Sequence, residues 1–357
     1  MMEMSSGQIS LCDEVSSPNG SRKVLDCMEH SVSSSPSPPP LDVLTVGDIC
    51  VDLIVRGNVR PQFGQVEQIV EDCSLELGGS APIFASQLAK LGTRVGVIGW
   101  TGCDGMGQFV VEQLRAAGVD TTNIRQHASL KTGIGIALSE ENDRAILTYM
   151  GTIDATSPAD VSASSVPSCR HWHTASYFLL KSLRLFWPRW FRACREAGVS
   201  ISLDTNWDPE NRWQDVRDLL PLVDIFLPNE NEALAISGEN NALDAARSLA
   251  AYGPMVVVKS GPKGTIAVDG AKTKTKTWTL SPSPETGLPE AVVDTTGAGD
   301  NFVAGFIHQY LKGADVEECM QFGHRCAISS LAHPGGVRGQ LWPARNPIEV
   351  SMGDRNT

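Results

Sequence analysis

The chain has 357 residues, and its 41 acidic against 29 basic side chains give a formal net charge of −12. A hydrophobic fraction of 41% is ordinary for a globular protein and excludes a disordered or fibrous chain. The length allows one large α/β domain or two smaller ones. The acidic balance argues against nucleic acid or an anionic membrane surface as the main partner. No stretch approaches the ~18 consecutive apolar residues that would span a bilayer.

The nine cysteines are scattered along the chain, and none of them forms a Cys-x-x-Cys pair. A zinc site or a disulfide framework needs clustered or evenly paired cysteines. The spacing therefore favours free thiols in a reducing compartment, which predicts a cytoplasmic protein.

The first forty residues differ in composition from the rest of the chain. Nine of the ten residues from Ser31 to Pro40 are Ser or Pro, a composition that cannot bury enough apolar surface to become ordered. We therefore predict a disordered tail over 1–40, a folded domain over 41–345 and a C-terminal tail over 346–357.

Strands and helices alternate through the folded domain. In chain order, the pattern predicts strands at 41–47 and 49–55, a helix at 80–91 ended by Gly92, a strand at 94–99 and a helix at 107–117 ended by Gly118. The alternation recurs at 170–175, 183–197, 199–204, 212–220, 223–227, 230–237, 241–252, 254–259 and 298–311. Strands separated by helices indicate βαβ units and a mainly parallel sheet covered by helices on both faces. On the strand at 170–175, we expect one of His171 and His173 to be buried and the other exposed.

Two stretches, 65–77 and 133–150, interrupt this alternation because they are extended and contain no helix. An open parallel sheet binds ligands at the carboxyl ends of its strands. The two insertions are therefore predicted to form a small β lid over such a site.

The sharpest local signal is Asp294-Thr-Thr-Gly-Ala-Gly-Asp300, which follows a predicted strand at 290–293 and precedes a helical run. Its glycines let the backbone approach a ligand, and the first N–H groups of a helix have no partner within the helix. Such groups favour an anion. A carboxylate beside an anion site is unfavourable because like charges repel, so its presence suggests a chemical role. Taking a proton from an attacking hydroxyl is such a role. The spacing alone leaves a second interpretation open, in which Asp300 caps the helix in a Gly-rich turn.

Four segments, in the same order, resemble the motifs of the ribokinase-like (PfkB) carbohydrate kinases. They are Gly78-Gly-Ser-Ala-Pro82 continuing through Gly92 to Gly102, Asp104 and Gly107; Pro228-Asn-Glu-Asn-Glu232; Gly261-Pro-Lys-Gly264; and the segment 294–300. The match runs from about residue 41 to 336. The resemblance implies a doubly wound, mainly parallel α/β sheet with helices on both faces plus a small β lid. It also implies transfer of the γ-phosphoryl group of ATP to an alcohol.

The resemblance assigns roles to individual residues. Asp300 would be the catalytic base, and the amides of Gly297, Ala298 and Gly299 would form the anion hole for the transferred group. Positioning and charge stabilisation are most of what phosphoryl transfer needs, and backbone amides with a metal ion supply both. The nucleotide would contact Asn229, Gly261, Lys263, Gly264, Thr296 and His324. Taken alone, His324 is also consistent with a hydrogen-bonded helix histidine.

The resemblance also implies two cation sites. Asn229 and Glu232 would organise Mg²⁺ through water, because Mg²⁺ sheds its hydration reluctantly. Taken alone, these two residues would be a helix cap with its N3 glutamate. Asp294, with backbone carbonyls near 332–336, would hold the monovalent cation, such as K⁺, that some members use.

On the sugar side, the resemblance implies contacts from Asp52, Asp48, Gly78, Gly79 and Ser80. Two residues depart from the family pattern: Ile83 stands where an Asn is common, and Asp208 stands where fructokinase-like members often carry Arg. An acidic side chain there disfavours a substrate that already bears a phosphate, because like charges repel. We therefore predict phosphorylation of a primary hydroxyl of a small unphosphorylated sugar or sugar acid, as in fructokinase, ribokinase or ketodeoxygluconate kinase.

Two other functions remain open on the sequence. One is a nucleoside kinase of the adenosine kinase type, and the other is a catalytically inactive relative with a regulatory or binding role. In the family the lid often serves as a dimer interface, so the resemblance also predicts a homodimer through the lid.

Overall fold

The computed structural model describes residues 41–140, 144–161, 169–270, 275–281 and 292–343. The tails predicted at 1–40 and 346–357 lie outside these residues and stay predictions. None of the described helices combines the length and apolar character that crossing a bilayer requires.

The described strands form two sheets. In chain order the strands are β1 (Leu41–Val46), β2 (Cys50–Arg56), β3 (Asp72–Gly78), β4 (Val95–Gly102), β5 (Ile124–His127), β6 (Gly133–Ser139), β7 (Arg144–Tyr149), β8 (Cys169–Thr174), β9 (Ser200–Leu203), β10 (Ile225–Phe226), β11 (Met255–Lys259), β12 (Thr265–Asp269) and β13 (Lys276–Leu280). The large sheet has the order β13-β12-β11-β10-β9-β8-β1-β4-β5, and the small sheet has the order β3-β2-β6-β7.

The large sheet is parallel from β11 to β5, and β12 and β13 add an antiparallel edge. The chain leaves central β1 toward β4 and β5 and later returns to β8 on the other side of β1. The strand order therefore reverses between β1 and β8. This is the doubly wound arrangement that the sequence predicted.

Helices cover both faces of the large sheet. They are α1 (Ser80–Lys90), α2 (Gly105–Ala117), α3 (Trp187–Glu196), α4 (Val216–Leu219), α5 (Glu230–Ser237), α6 (Ala242–Ala250), α7 (Ala298–Leu311) and α8 (Val316–Ser330). Successive strand residues point to opposite faces, so Val43 packs in a core with α1, α2, α7 and α8. Leu44 packs in a second core with α3 to α6.

The small sheet is the predicted lid, with different limits. Segment 133–150 contains β6 and β7 as expected, but segment 65–77 becomes a strand only at Asp72. Gly64 and Gln65 turn the chain with φ values of 106° and 63°, and residues 66–70 are not paired with a strand in the described part of the chain. Strand β2, which the prediction assigned to the body, pairs with both β3 and β6 and so belongs to the lid.

Other local predictions were wrong. Val292 and Val293 lie in no strand, and residues 290 and 291 lie outside the described residues. The side chains of His171 and His173 are both buried, because residues two apart on a strand share a face and helices cover both faces here.

Candidate active site

The candidate site lies at the carboxyl edge of the large sheet, where the strand order reverses. In open α/β sheets, ligands bind in the crevice at such a point. Asp48 follows β1 and Ser176 follows β8, and the Ser176 hydroxyl donates a hydrogen bond of 2.6 Å to Asp48 Oδ2. The two strand ends are thus joined at the crevice.

Asp48 also holds the N-terminus of α1. Its carboxylate accepts hydrogen bonds from the backbone N–H groups of Ser80 at 3.1 Å and Ala81 at 3.2 Å. Burial raises the pKa of Asp48, and these hydrogen bonds oppose that rise. Three donors already face its oxygens, so the contacts of Asp48 are those of a residue that positions α1.

The turn that precedes α1 requires glycine. Gly79 has a φ of 87°, and a Cβ at this position would lie 1.8 Å from the backbone oxygen of Asp48. The backbone of Gly79 therefore packs directly against that of Asp48, and its predicted sugar contact stays a prediction. Ser80 follows at the first position of α1, and its hydroxyl oxygen accepts a hydrogen bond from the Asn206 side chain.

Asp52 lies on β2 of the lid between two glycines. A Cβ on either Gly78 or Gly135 would lie 2.5 Å from Asp52 Oδ1. The glycines therefore leave space on this face of the lid sheet for a carboxylate.

Asp300 lies in the first turn of α7, which begins after a left-handed Gly297. The φ of Gly297 is 70°, and a Cβ there would lie 2.7 Å from the Cα of Gly336. Gly299 is exposed, and of the three predicted amides the N–H of Ala298 donates a hydrogen bond of 3.3 Å to the carbonyl oxygen of Thr295. The predicted anion hole and the predicted base therefore share one helix N-terminus.

A buried ion pair lies beside this N-terminus. Lys259 ends β11, and its ammonium contacts the carboxylate of Asp204, which follows β9. The Lys259 side chain is 12% exposed and that of Asp204 is 4% exposed. A Cβ on Gly299 would lie 3.5 Å from Lys259 Nζ, so the ammonium lies against the glycine-rich loop.

These neighbours change the acidity of Asp300. Burial, reinforced by the negative charge of Asp204, raises the pKa of Asp300 to about 8, and the positive charge of Lys259 opposes part of this rise. A carboxyl group whose pKa lies near the working pH is suited to accept a proton from an alcohol.

Asn229 and Glu232 form a reciprocal helix cap at the start of α5. The Asn229 side chain accepts a hydrogen bond of 2.9 Å from the N–H of Glu232, and Glu232 accepts one of 2.9 Å from the N–H of Asn229. Burial and the nearby Asp204 carboxylate raise the pKa of Glu232 to about 7. The capping interpretation therefore accounts for the local contacts, and the pair also lies at the same sheet edge as Lys259.

The remaining predicted nucleotide residues lie around this edge. Gly261–Lys263 forms a short 3-10 turn directly after β11, and Gly264 ends the turn. Lys263 is 75% exposed and pairs with Glu230 at 3.1 Å. His324 Nε2 lies 2.8 Å from the Thr265 hydroxyl oxygen, the contact of a hydrogen-bonded helix histidine.

Asp294 and Thr296 interact with each other within the loop before α7. Asp294 Oδ1 accepts hydrogen bonds from the N–H of Thr296 at 2.9 Å and from its hydroxyl at 2.8 Å. Asp294 Oδ2 accepts one from the N–H of Gly335 at 2.9 Å.

Sequence reasoning gave no role to Lys259 or to Asp204. A lysine at the carboxyl end of an otherwise apolar strand, two residues before the Gly261 turn, was the available signal. Asp204 lies in the segment 203–209, which resembles fructokinase-like kinases, but its partner is 55 residues away and could not be deduced from spacing.

Asn229 and Glu232 fit a magnesium ion that is held through water rather than bound directly. Within the described ranges, no group of three or more His, Cys, Asp or Glu side chains converges as a set of metal ligands. Both Glu232 oxygens face Asn229. Mg²⁺ usually keeps several waters and binds substrate phosphates with one or two protein carboxylates.

The fold and this site define a class of protein. A helix N-terminus, an adjacent acid of raised pKa and a largely buried lysine, all at the carboxyl edge of a doubly wound sheet, are groups that a phosphotransferase can use. The family model described as pfkB family carbohydrate kinase matches residues 41–342. The chain belongs to this family and is an ATP-dependent phosphotransferase that acts on a sugar.

Individual relatives are distant but cover most of the chain. An ATP-dependent ribose-1-phosphate kinase from Halopiger xanaduensis is 27% identical and covers 82% of this chain and 93% of its own length. A 2-dehydro-3-deoxygluconokinase from Bacillus subtilis is 28% identical and covers 89% of this chain and 97% of its own length.

Solved structures share the fold. Arabidopsis thaliana ribokinase, solved with ribose and ATP, has a TM-score of 0.70 at 23% identity and covers 85% of this chain and 96% of its own. Adenosine kinase from Sinorhizobium meliloti has a TM-score of 0.72 at 24% identity and covers 83% and 95%.

Proposed function

We propose that the protein transfers the γ-phosphoryl group of ATP to a primary hydroxyl of a small unphosphorylated sugar or sugar acid. The observation that carries the proposal is the position of Asp300, in the first turn of α7 beside Gly297–Gly299, with its pKa raised to about 8. The Asp48 carboxylate and the Ser80 hydroxyl, which lie at the N-terminus of α1, both affect the acidity of Asp300, and this supports the proposal.

In this proposal Asp300 accepts the proton of the primary hydroxyl as the hydroxyl oxygen attacks the γ-phosphorus. The bond from the γ-phosphorus to the β–γ bridging oxygen breaks, and ADP leaves with that oxygen. The N–H groups at the start of α7 stabilise the charge on the transferred group. Lys259 lies against the same loop, so the part of its positive charge that Asp204 does not offset would act on the same oxygens.

Asn229 and Glu232 are the residues that would hold Mg²⁺, through water. The ion would neutralise charge on the phosphates during transfer. The pKa of Glu232 is raised to about 7 in the protein alone. A cation nearby would favour the ionised carboxylate, because opposite charges attract. The Gly261–Gly264 turn and Thr296 would border the nucleotide.

The acidic crevice supports a substrate without a phosphate at the reacting end. In this proposal Asp52 and Asp300 are the acidic residues on the substrate side, and the ammonium of Lys259 is already paired with Asp204. Asp208 accepts backbone hydrogen bonds from Glu210, Arg212 and Trp213 at 2.8–2.9 Å, so it builds its own loop. Asp52 would grip a vicinal diol, with Gly78 and Gly79 at the sugar.

A nucleoside kinase is the second candidate, and one observation favours it. Trp207 is 52% exposed directly after Asn206, whose side chain contacts Ser80. Trp213 packs edge-on against Trp207 with ring centroids 5.0 Å apart. The exposed indole could stack on a nucleobase, since base stacking on an aromatic ring needs one open face.

We also propose a homodimer through the lid and a reducing, cytoplasmic location. Ile146, Leu147 and Tyr149 of edge strand β7 are between 49% and 57% exposed, which suits a surface covered by a second copy. The cysteines at 50, 73, 103, 169, 194, 319 and 326 are free thiols, as a reducing compartment would keep them.

An ADP-release assay over a panel of free sugars, sugar acids and nucleosides tests the proposal. We expect turnover with a free sugar or sugar acid, and a loss of at least about 1,000-fold in kcat for Asp300→Asn with native thermal stability. Glu317→Gln, an acid in the first turn of α8, is the matched control and should keep full activity. Turnover with nucleosides alone would support the second candidate. No turnover on any compound, with ATP still bound, would instead indicate the inactive regulatory relative.

A further inference from the structure

Arg56, at the end of lid strand β2, reaches the loop before α7. Its guanidinium Nη2 lies 3.8 Å from Asp294 Oδ2, and its Nη1 lies 3.8 Å from Asp72 Oδ2. Nη2 is buried and makes no hydrogen bond. The Asp294 side chain is 6% exposed. An ionised carboxylate buried to this degree needs a nearby positive charge, and Arg56 provides one.

Asp294 has little capacity left for a metal ion. A carboxylate has about four lone-pair sites, two on each oxygen. The N–H and hydroxyl of Thr296 fill the two on Oδ1, and the N–H of Gly335 fills one on Oδ2. The Arg56 guanidinium lies 3.8 Å from Oδ2 without a hydrogen bond to it, so its positive charge faces the remaining lone pair.

One of the backbone carbonyls expected to complete a monovalent cation site, that of Gly336, is also engaged. Gly336 O accepts a hydrogen bond of 2.8 Å from the Asn301 side chain. A monovalent cation at the remaining lone pair of Asp294 would also lie beside the positive charge of Arg56, and like charges repel. The surroundings of Asp294 therefore do not fit the monovalent cation that the sequence resemblance implied.

We propose that Arg56 is a built-in cation that replaces K⁺ at Asp294, so that the kinase works without a monovalent cation. Asp294 fixes Thr296, and Thr296 directly precedes the Gly297–Gly299 loop. The positive charge of Arg56 stabilises the Asp294 carboxylate, and its hydrogen bonds to Thr296 then hold the loop in the conformation that the phosphoryl group needs. Arg56 is a positioning residue in this proposal, because it acts through Asp294.

The positive charge of Arg56 belongs to the lid, so in this proposal the position of the lid affects the loop before α7. A second lid strand makes a parallel contact: Glu76 on β3 pairs with Arg338 at 2.8 Å. Gly335 lies against the Glu76 side chain, since a Cβ on Gly335 would lie 2.7 Å from Glu76 Cγ. Arg56 on β2 thus lies near Asp294, and Glu76 on β3 contacts Gly335 and Arg338.

The test compares KCl with choline chloride at equal ionic strength. We expect wild-type kcat to differ by less than twofold between the two salts. Arg56→Ala should lose at least tenfold in choline chloride, and millimolar KCl or guanidinium chloride should restore part of the loss. Arg56→Lys should keep most of the activity. Arg60→Ala, an exposed lid arginine paired with Glu140, is the matched control and should behave as wild type in both salts.

Thermal unfolding provides a readout that does not need turnover. We expect KCl, relative to choline chloride, to raise the Tm of Arg56→Ala but not that of the wild type. A wild-type enzyme activated several-fold by KCl would overturn the proposal, and so would an Arg56→Ala variant with full activity in choline chloride. The inference rests on the proposed function for its kinetic arm. If no compound is turned over in either salt, the proposed function fails while the Tm comparison still decides the role of Arg56.

Discussion

If Asp300 is the base, as proposed, its surroundings set the pH at which the reaction can begin. Burial and the Asp204 carboxylate hold the proton on Asp300, whereas the Lys259 ammonium favours its release. Asp204 and Lys259 are also bound to each other. The acidity of the base therefore depends on two residues that belong to other strands.

At the scale of one residue, we predict that kcat/KM falls about tenfold for each pH unit below about 8, because protonated Asp300 cannot accept a proton. Asp204→Asn removes a negative charge that raises the pKa of Asp300 and leaves the positive charge of Lys259. The acid limb should therefore move to lower pH by on the order of one unit.

A pH–rate profile of kcat/KM measures this shift, and kcat/KM reports the groups of the free enzyme. Asp244→Asn, a change of the same charge in the exposed first turn of α6, is the control and should leave the acid limb in place. An unshifted limb for Asp204→Asn would mean that Asp204 does not act on the base.

At the scale of an element, the N-terminus of α7 depends on one left-handed glycine. Gly297 combines a φ of 70° with a contact to the backbone of Gly336 that leaves no space for a Cβ. The same turn presents the predicted anion hole, so stability and activity depend on one backbone conformation.

We predict that Gly297→Ala lowers the free energy of unfolding by about 1–3 kcal/mol and lowers kcat at least tenfold, since the Ala side chain strains the turn and displaces Gly336. Urea unfolding and the ADP-release assay measure the two effects. Gly105→Ala, at the first position of α2, is the control because a Cβ there meets no atom within 4 Å. A variant with normal kcat would show that the loop tolerates a different backbone.

At the scale of the whole molecule, the lid sheet presents apolar side chains on both faces of β7. Ile146 and Leu147 are neighbours on this strand and point to opposite faces, yet both are more than half exposed. An edge strand of this kind is prone to pair with another chain. The lid also carries Asp52, the proposed sugar contact, so in this proposal a partner on the lid would affect sugar binding.

Sedimentation equilibrium tests the proposed dimer. We expect the wild type to sediment as a dimer and Leu147→Asp as a monomer, with a raised KM for the sugar because the lid loses its support. Leu185→Asp, at a position 89% exposed outside the lid, is the control and should remain a dimer. A monomeric wild type would rule out the lid as a dimer interface.

Local patterns in the sequence were enough for most elements. The helices at α1, α2 and α7 and the central strands carry strong apolar periodicity and glycine stops, and these act within a few residues. Segment 65–71 was misassigned because extended residues become a strand only when a partner pairs with them. The two histidines of β8 were misassigned because their burial depends on helices that come from distant parts of the chain.

By itself, the sequence determined the sheet class and predicted the candidate parts of the site: the glycine-rich corner with Asp300, the Asn229–Glu232 pair and the glycines before α1. These are short segments whose spacing limits what the backbone can do. Only the tertiary structure decided which charged side chains lie around these segments. Lys259 and Asp204 meet because β11 and β9 lie close together in the sheet, and Arg56 reaches Asp294 from the lid. Electrostatic energy depends on distance in space and on burial rather than on separation along the chain.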